Sequence, residues 1–172
     1  MISFELSQII ERPVEQVFLF LRDFANMPRW NYYVLEVKKL SPGEIGLETV
    51  FEQKRKHDMQ TYKVITYDPP NKVAVAILPP GAQHQLIFDL KSANGHTQLY
   101  YKWQVDLDNY KLLRFIPKGI FKKWILSFAK KHILTTTMSA VEQNFLKLKT
   151  LLEKGEVILL DGRRTVLPPG II

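Results

Sequence analysis

Ile9-Ile10-Glu11-Arg12-Pro13-Val14 leads into Val17, Phe18 and Leu21, and then into Pro28-Arg29-Trp30. Val14, Val17, Phe18 and Leu21 stand at i, i+3, i+4 and i+7, the apolar stripe of a short amphipathic helix. Pro13 suits the first helical position, where its missing N–H has no partner to lose. Pro28 ends a second short helical piece around Phe24–Met27, because proline pushes its predecessor out of the α region. Upstream, Phe4, Leu6 and Gln8 alternate with Glu5 and Ser7, a strand over roughly residues 2–11. One strand therefore hands over to two short helices.

Working outward, six further stretches alternate with the period of a strand. Tyr33, Leu35 and Val37 alternate with Val34, Glu36 and Lys38, and Ser41-Pro42-Gly43-Glu44 marks a turn. From Leu47 to Lys56, one face carries Leu47, Thr49, Phe51, Gln53 and Arg55, and the wetter face carries Glu48, Val50, Glu52, Lys54 and Lys56. Tyr62, Val64 and Thr66 form one face of the next strand. Asp68-Pro69-Pro70-Asn71 turns the chain into Val73–Leu78, and Pro79-Pro80-Gly81 turns it again. His84, Leu86, Phe88 and Leu90 then share a face. Asn94-Gly95 reads as a hairpin tip, since both residues accept positive φ. Leu99, Tyr101, Trp103, Val105 and Leu107 oppose Tyr100, Lys102, Gln104 and Asp106 in the clearest strand of the chain.

Leu134, Met138, Val141, Phe145, Leu148 and Leu152 follow helical spacing in a long helix that Gly155 is placed to end. A helical piece around Ile120–His132 precedes it. Residues 1–154 thus read as one domain. Residues 155–172 read as a tail, with a small hairpin across Asp161-Gly162 and a frayed end at Pro168-Pro169-Gly170. One antiparallel sheet closed by a long terminal helix leaves a hollow where other folds place solid core.

With 172 residues, 46% apolar and 24% charged, the composition is that of an ordinary soluble globule. The absence of cysteine removes disulfides, thiolate nucleophiles and sulfur-ligated metals. It is compatible with a reducing compartment, and a cytoplasmic location is expected. The first residues show no signal-peptide pattern. The longest uncharged run, Val73–Phe88, is broken by prolines and is no membrane span. The net charge of +7 belongs to one segment. Residues 109–141 hold Lys111, Arg114, Lys118, Lys122, Lys123, Lys130 and Lys131 and no acid, while the other 17 basic residues balance all 17 acidic ones.

The chain resembles the START/polyketide-cyclase-like (SRPBCC, helix-grip) superfamily. The resemblance rests on Arg12-Pro13-Val14-Glu15-Gln16-Val17-Phe18, Pro28-Arg29-Trp30-Asn31, and Gly46 before a strand. It continues through Val64-Ile65-Thr66-Tyr67-Asp68-Pro69-Pro70, Gly95-His96-Thr97 and Leu146-Lys147-Leu148-Lys149. It covers residues 1 to about 154 in the superfamily's order. It implies an α+β fold in which a seven-stranded curved antiparallel sheet grips the last helix around a ligand cavity. It implies no single chemistry, because such scaffolds host carriers, cyclases and chaperone partners alike.

Polar residues in the inward register are then Gln53, Arg55, Tyr62, Thr66, His84 and Tyr101. An apolar pocket with a few convergent polar groups is the usual form of a small-molecule site. The expected wall comprises Trp30, Phe51, Tyr62, His84, Phe88, Tyr101, Trp103 and Met138, with Arg55 to anchor a polar end. The ligand class is a small apolar or amphipathic molecule: a lipid, a quinone or a polyketide-like compound. Two roles stay open. One is a carrier or sensor; the other is a cyclase or dehydrase in which His84, Tyr62 and Arg55 handle protons and oxyanions. No cofactor is expected. His57, His84, His96 and His132 show no short metal-ligand spacing, so no metal is expected either. No nucleophile-elbow or phosphate-loop pattern is present. In the basic segment, Ile120, Phe121, Trp124, Ile125 and Phe128 make one helical face, with Lys122, Lys123 and Lys130 away from it. Such a face can pack on the sheet, lie on an anionic membrane or meet an acidic protein. Nucleic acid is a weaker fit, because no recognised binding motif accompanies the charge.

Overall fold

Ile2, Phe4 and Ile10 are buried along β1 (Ile2–Ile10) while Ser3, Glu5, Ser7 and Ile9 face solvent, so the period of two becomes the two faces of a sheet. The computed structural model describes residues 2–80, 84–105 and 138–171. After β1 come α1 (Val14–Arg22) and a 3-10 helix (Phe24–Arg29). The strands that follow are β2 (Val34–Lys39), β3 (Val50–Arg55), β4 (Met59–Asp68), β5 (Lys72–Ile77), β6 (His84–Ala93) and β7 (His96–Val105). All seven form one sheet in the order β1-β7-β6-β5-β4-β3-β2, every neighbouring pair antiparallel. A helix, α2, is described over residues 138–154, and a two-stranded sheet of β8 (Glu156–Ile158) and β9 (Arg164–Val166) follows it. This is the α+β helix-grip arrangement.

The apolar stripe of α1 is buried as its spacing requires, with Val14, Val17, Phe18, Phe20 and Leu21 turned inward. Pro13 sits one position earlier than the sequence suggests, at the N-cap, where its carbonyl accepts from the Gln16 and Val17 amides. Pro28 lies inside the 3-10 helix rather than ending it at Met27. So short a run has few backbone bonds to lose to a proline. On α2, Phe145, Leu148, Leu151 and Leu152 enter the core. Gly155 ends α2 at φ +80, its amide donating to the Leu151 carbonyl at 2.9 Å.

Three strand expectations change. Val34 is buried on β2 while Tyr33 and Leu35 are exposed, the reverse of the simple alternation, because a bulge separates the Val34 and Glu36 pairings. The strand expected from Leu47 begins at Val50. Before it, Glu48 takes a positive φ, the Thr49 amide donates to the Gly46 carbonyl, and Leu47 is 61% exposed. On β4 a second bulge follows Val64. It pairs Thr66 with Ala74 and Tyr67 with core Val73, so Tyr67 rather than Thr66 takes the inward place. Tyr67 packs its ring on Phe18 and accepts a hydrogen bond from Arg22 at 2.9 Å.

The hairpin of β8 and β9 forms as expected and packs on its own chain, where Val157 and Leu159 join the core. Thr165 Oγ1 donates to the Arg29 carbonyl at 2.6 Å, and Arg29 donates to the Val166 carbonyl at 2.9 Å. Arg163 reaches the Tyr32 carbonyl at 3.1 Å. Leu107, Leu134, the helical piece around 120–132 and all seven basic residues from Lys111 to Lys131 lie outside the described residues. Among the described residues no helix is long and apolar enough to cross a membrane.

Candidate functional site

Inward-facing residues of β3, β4, β6 and β7 meet residues 140–145 of α2 and the end of the 3-10 helix around a cavity of about 300 Å³. That volume is at the lower end of the range for small-molecule sites. Trp30 closes one side, Leu86 and Phe88 come from β6, and Tyr101 and Trp103 from β7. Ala140, Val141 and Phe145 face them from α2. Phe145 binds the layers together, its ring 4.7 Å from that of Tyr101 and 5.5 Å from that of Trp30. Trp103 stacks on Phe4 at 5.3 Å. These ring contacts hold the wall in place, so the cavity's shape is preset by the core.

The polar lining is concentrated on β3, β4 and the start of β6. Arg55 grips Asp58 with two guanidinium nitrogens, the Nε contact at 2.6 Å. Burial of Arg55 opposes its charge, but the Asp58 carboxylate outweighs that and holds the guanidinium pKa above its ordinary value. The bond from Arg55 in turn holds the Asp58 carboxyl below its ordinary range. Gln60 Nε2 donates to Asp58 at 3.2 Å, and the Tyr62 hydroxyl donates to Gln60 Oε1 at 2.7 Å. Arg55, Asp58, Gln60 and Tyr62 are therefore one connected chain. Burial pushes the phenols of Tyr62 and Tyr101 up, so both are neutral donors at physiological pH. His84 lies between two rings, 6.1 Å from Tyr62 and 5.8 Å from Trp103. At the opposite wall, Asn144 of α2 donates to Asn31 Oδ1 at 3.1 Å, tying the helix to the loop before β2.

Of the wall expected from sequence, Trp30, Arg55, Tyr62, His84, Phe88, Tyr101 and Trp103 line the cavity together. Phe51 is placed behind the wall, fully buried with its ring 5.4 Å from Phe24. Met138 packs at the margin of the core and does not line the cavity. Sequence reasoning missed Asn31, Asn144 and Phe145 as lining residues and noted Gln53 only as an inward position. Asn144 carried a usable signal, a polar residue beside Phe145 on the apolar edge of α2. Asn31 lies in a loop, where no periodicity points a side chain inward, although it closes the Pro28-Arg29-Trp30-Asn31 motif. Among the described residues, no cluster of His, Asp or Glu could hold a metal ion.

Solved structures with this architecture are numerous. A Mesorhizobium loti protein, MLL2253, superposes with a TM-score of 0.62 at 12% identity, over 90% of this chain and 99% of that one. The Aha1 dimer of Colwellia psychrerythraea gives 0.55 at 14% identity, over 89% and 97%. The di-domain aromatase/cyclase StfQ of the steffimycin biosynthetic pathway gives 0.63 at 12% identity, with 89% of this chain covering 51% of that one. Identities this low show a shared fold and no more. A search of curated protein sequences finds no match. Residues 1–153 match the family described as polyketide cyclase/dehydrase and lipid transport, with a hydrophobic ligand-binding fold, and the chain belongs to that family.

Proposed function

We propose that this protein binds a small hydrophobic or amphipathic molecule in the cavity between sheet and α2, as a carrier or sensor. The observation that carries the reading is the cavity itself, about 300 Å³ walled by Trp30, Phe88, Tyr101, Trp103 and Phe145. Aromatic side chains contribute large apolar areas, and only a few polar groups interrupt them. The test is a titration with 1-aminoanthracene, a neutral planar fluorophore, against the native chain and Ala140→Trp, which fills the cavity from α2. Saturable binding at one site that weakens at least about tenfold in the variant supports the reading. Undiminished binding by a folded Ala140→Trp protein contradicts it.

A cyclase or dehydrase using the same cavity is the second reading, favoured by the position of His84 between Tyr62 and Trp103. Arg55 is engaged by Asp58 and Tyr62 by Gln60, so two of its three expected catalytic groups are already committed. Carriage is the better fit for that reason. His84→Ala separates the two: loss of turnover with ligand affinity kept supports the enzyme, and parallel loss of both supports binding alone. The charge of residues 109–141 adds a reading from sequence alone, contact with an anionic membrane or an acidic protein surface. Reversing Lys122 and Lys123 to glutamate abolishes cosedimentation with anionic vesicles on this reading and leaves cavity occupancy unchanged.

A further inference from the structure

Two glutamines stand directly opposite one another across β3 and β4, Gln53 and Gln60. Gln60 is fully used, donating to Asp58 and accepting from Tyr62. Gln53 is not. Its side chain is only 3% exposed, it lines the cavity, and its amide makes no hydrogen bond to the described residues. An amide that faces a cavity without a protein partner keeps both its donors and its acceptor available to an occupant. A donor and acceptor held ready at the wall of an apolar cavity is the pattern of a ligand-orienting group.

We propose that Gln53 orients the ligand, and that it meets an uncharged oxygen, a ketone, quinone or phenol, on an aromatic body. The inference rests on the cavity reading above and specifies the chemistry of its occupant. Charge is what decides between a neutral oxygen and a carboxylate. Arg55, the one permanently charged residue among the described lining residues, is paired with Asp58. An incoming carboxylate would have to displace Asp58 or lie desolvated beside it, and either is unfavourable. A carbonyl meets no such obstacle. The amide N–H of Gln53 donates to it, or its Oε1 accepts from a phenolic O–H. The rings of Trp30, Phe88 and Tyr101 then receive the body of the molecule.

The test is equilibrium dialysis of the full chain against three ligands of one shape: 2-acetylnaphthalene, 2-naphthoate and 2-ethylnaphthalene. The native protein should prefer the ketone about tenfold over each of the others, the discrimination one well-placed hydrogen bond supplies. Gln53→Leu should bring the ketone down to the hydrocarbon's affinity and leave the hydrocarbon unchanged, so the hydrocarbon also reports an intact cavity. Gln53→Met repeats the comparison with a different packing. A ketone-to-hydrocarbon ratio unchanged in both variants, or naphthoate binding as tightly as the ketone, overturns the assignment and leaves the cavity reading standing. Failure of the hydrocarbon to bind the native chain overturns both.

Discussion

Arg12 shows how one residue fixes the grip of sheet on helix. Its Nε donates to the Leu152 carbonyl at 2.8 Å and a terminal nitrogen donates to the Glu153 carbonyl at 3.0 Å. The last carbonyls of a helix have no partners within it, and a cation there is also attracted by the negative end of the helix dipole. Glu153 closes the clamp by accepting from the Glu11 amide at 2.7 Å and from Lys149 at 2.6 Å. Arg12→Ala should therefore cost about 2 kcal/mol in urea denaturation, the range for hydrogen bonds from a charged group. Arg12→Lys should recover only part, since lysine lacks the forked donor. A loss below about 0.5 kcal/mol would mean that water serves these carbonyls equally well. The sequence marks Arg12-Pro13 as the passage from strand to helix, but the partner carbonyls lie about 140 residues away and leave no local trace. Gln53 is similar: its inward position follows from alternation, and that its amide has no hydrogen bond to the described residues appears only when Gln60 is seen to be taken by Asp58 and Tyr62.

At the scale of elements, what could be read locally was read well, and bulges set the limit. Period-two alternation placed His84, Leu86, Phe88 and Leu90 on one face of β6 and Leu99, Tyr101 and Trp103 on one face of β7, where they are found. On β2 and β4 one extra residue reverses the faces downstream, which exchanged Thr66 for Tyr67. A bulge is decided by the partner strand, so alternation within one strand does not reveal it. The helical spacing of α2 held because its apolar face has one large surface to meet. Leu148 is fully buried there. Leu148→Ala should cost 2–5 kcal/mol, about the usual penalty for emptying a packed site. Calorimetry measures it, and a loss under about 1 kcal/mol would show that α2 is loosely held.

For the molecule as a whole, the docking of ends and edges depends on ionised carboxylates. The carboxyls of Asp58, Glu153 and Asp161 are all held below their ordinary values. For Asp58 the bond from Arg55 leads. For Glu153 burial works the other way and is outweighed by Lys149 and the Glu11 amide, and for Asp161 burial is outweighed by Arg163. A depressed folded pKa gives stability that is present above the ordinary value and lost as pH falls through the folded one. The urea midpoint should thus change little on this account between about pH 5 and 8, then fall steeply below about pH 4. Glu153→Gln should flatten that acid slope. A variant with the native slope would remove Glu153 from the cause.

The central claim is that the hollow between sheet and α2 holds a small hydrophobic molecule. Native mass spectrometry of freshly purified protein, followed by solvent extraction and identification of what is released, tests it most directly. The account predicts a single adduct of discrete mass, an apolar compound carrying an uncharged oxygen, whose occupancy falls in Ala140→Trp. An adduct that survives unchanged in the folded Ala140→Trp protein would place the molecule elsewhere and contradict the account.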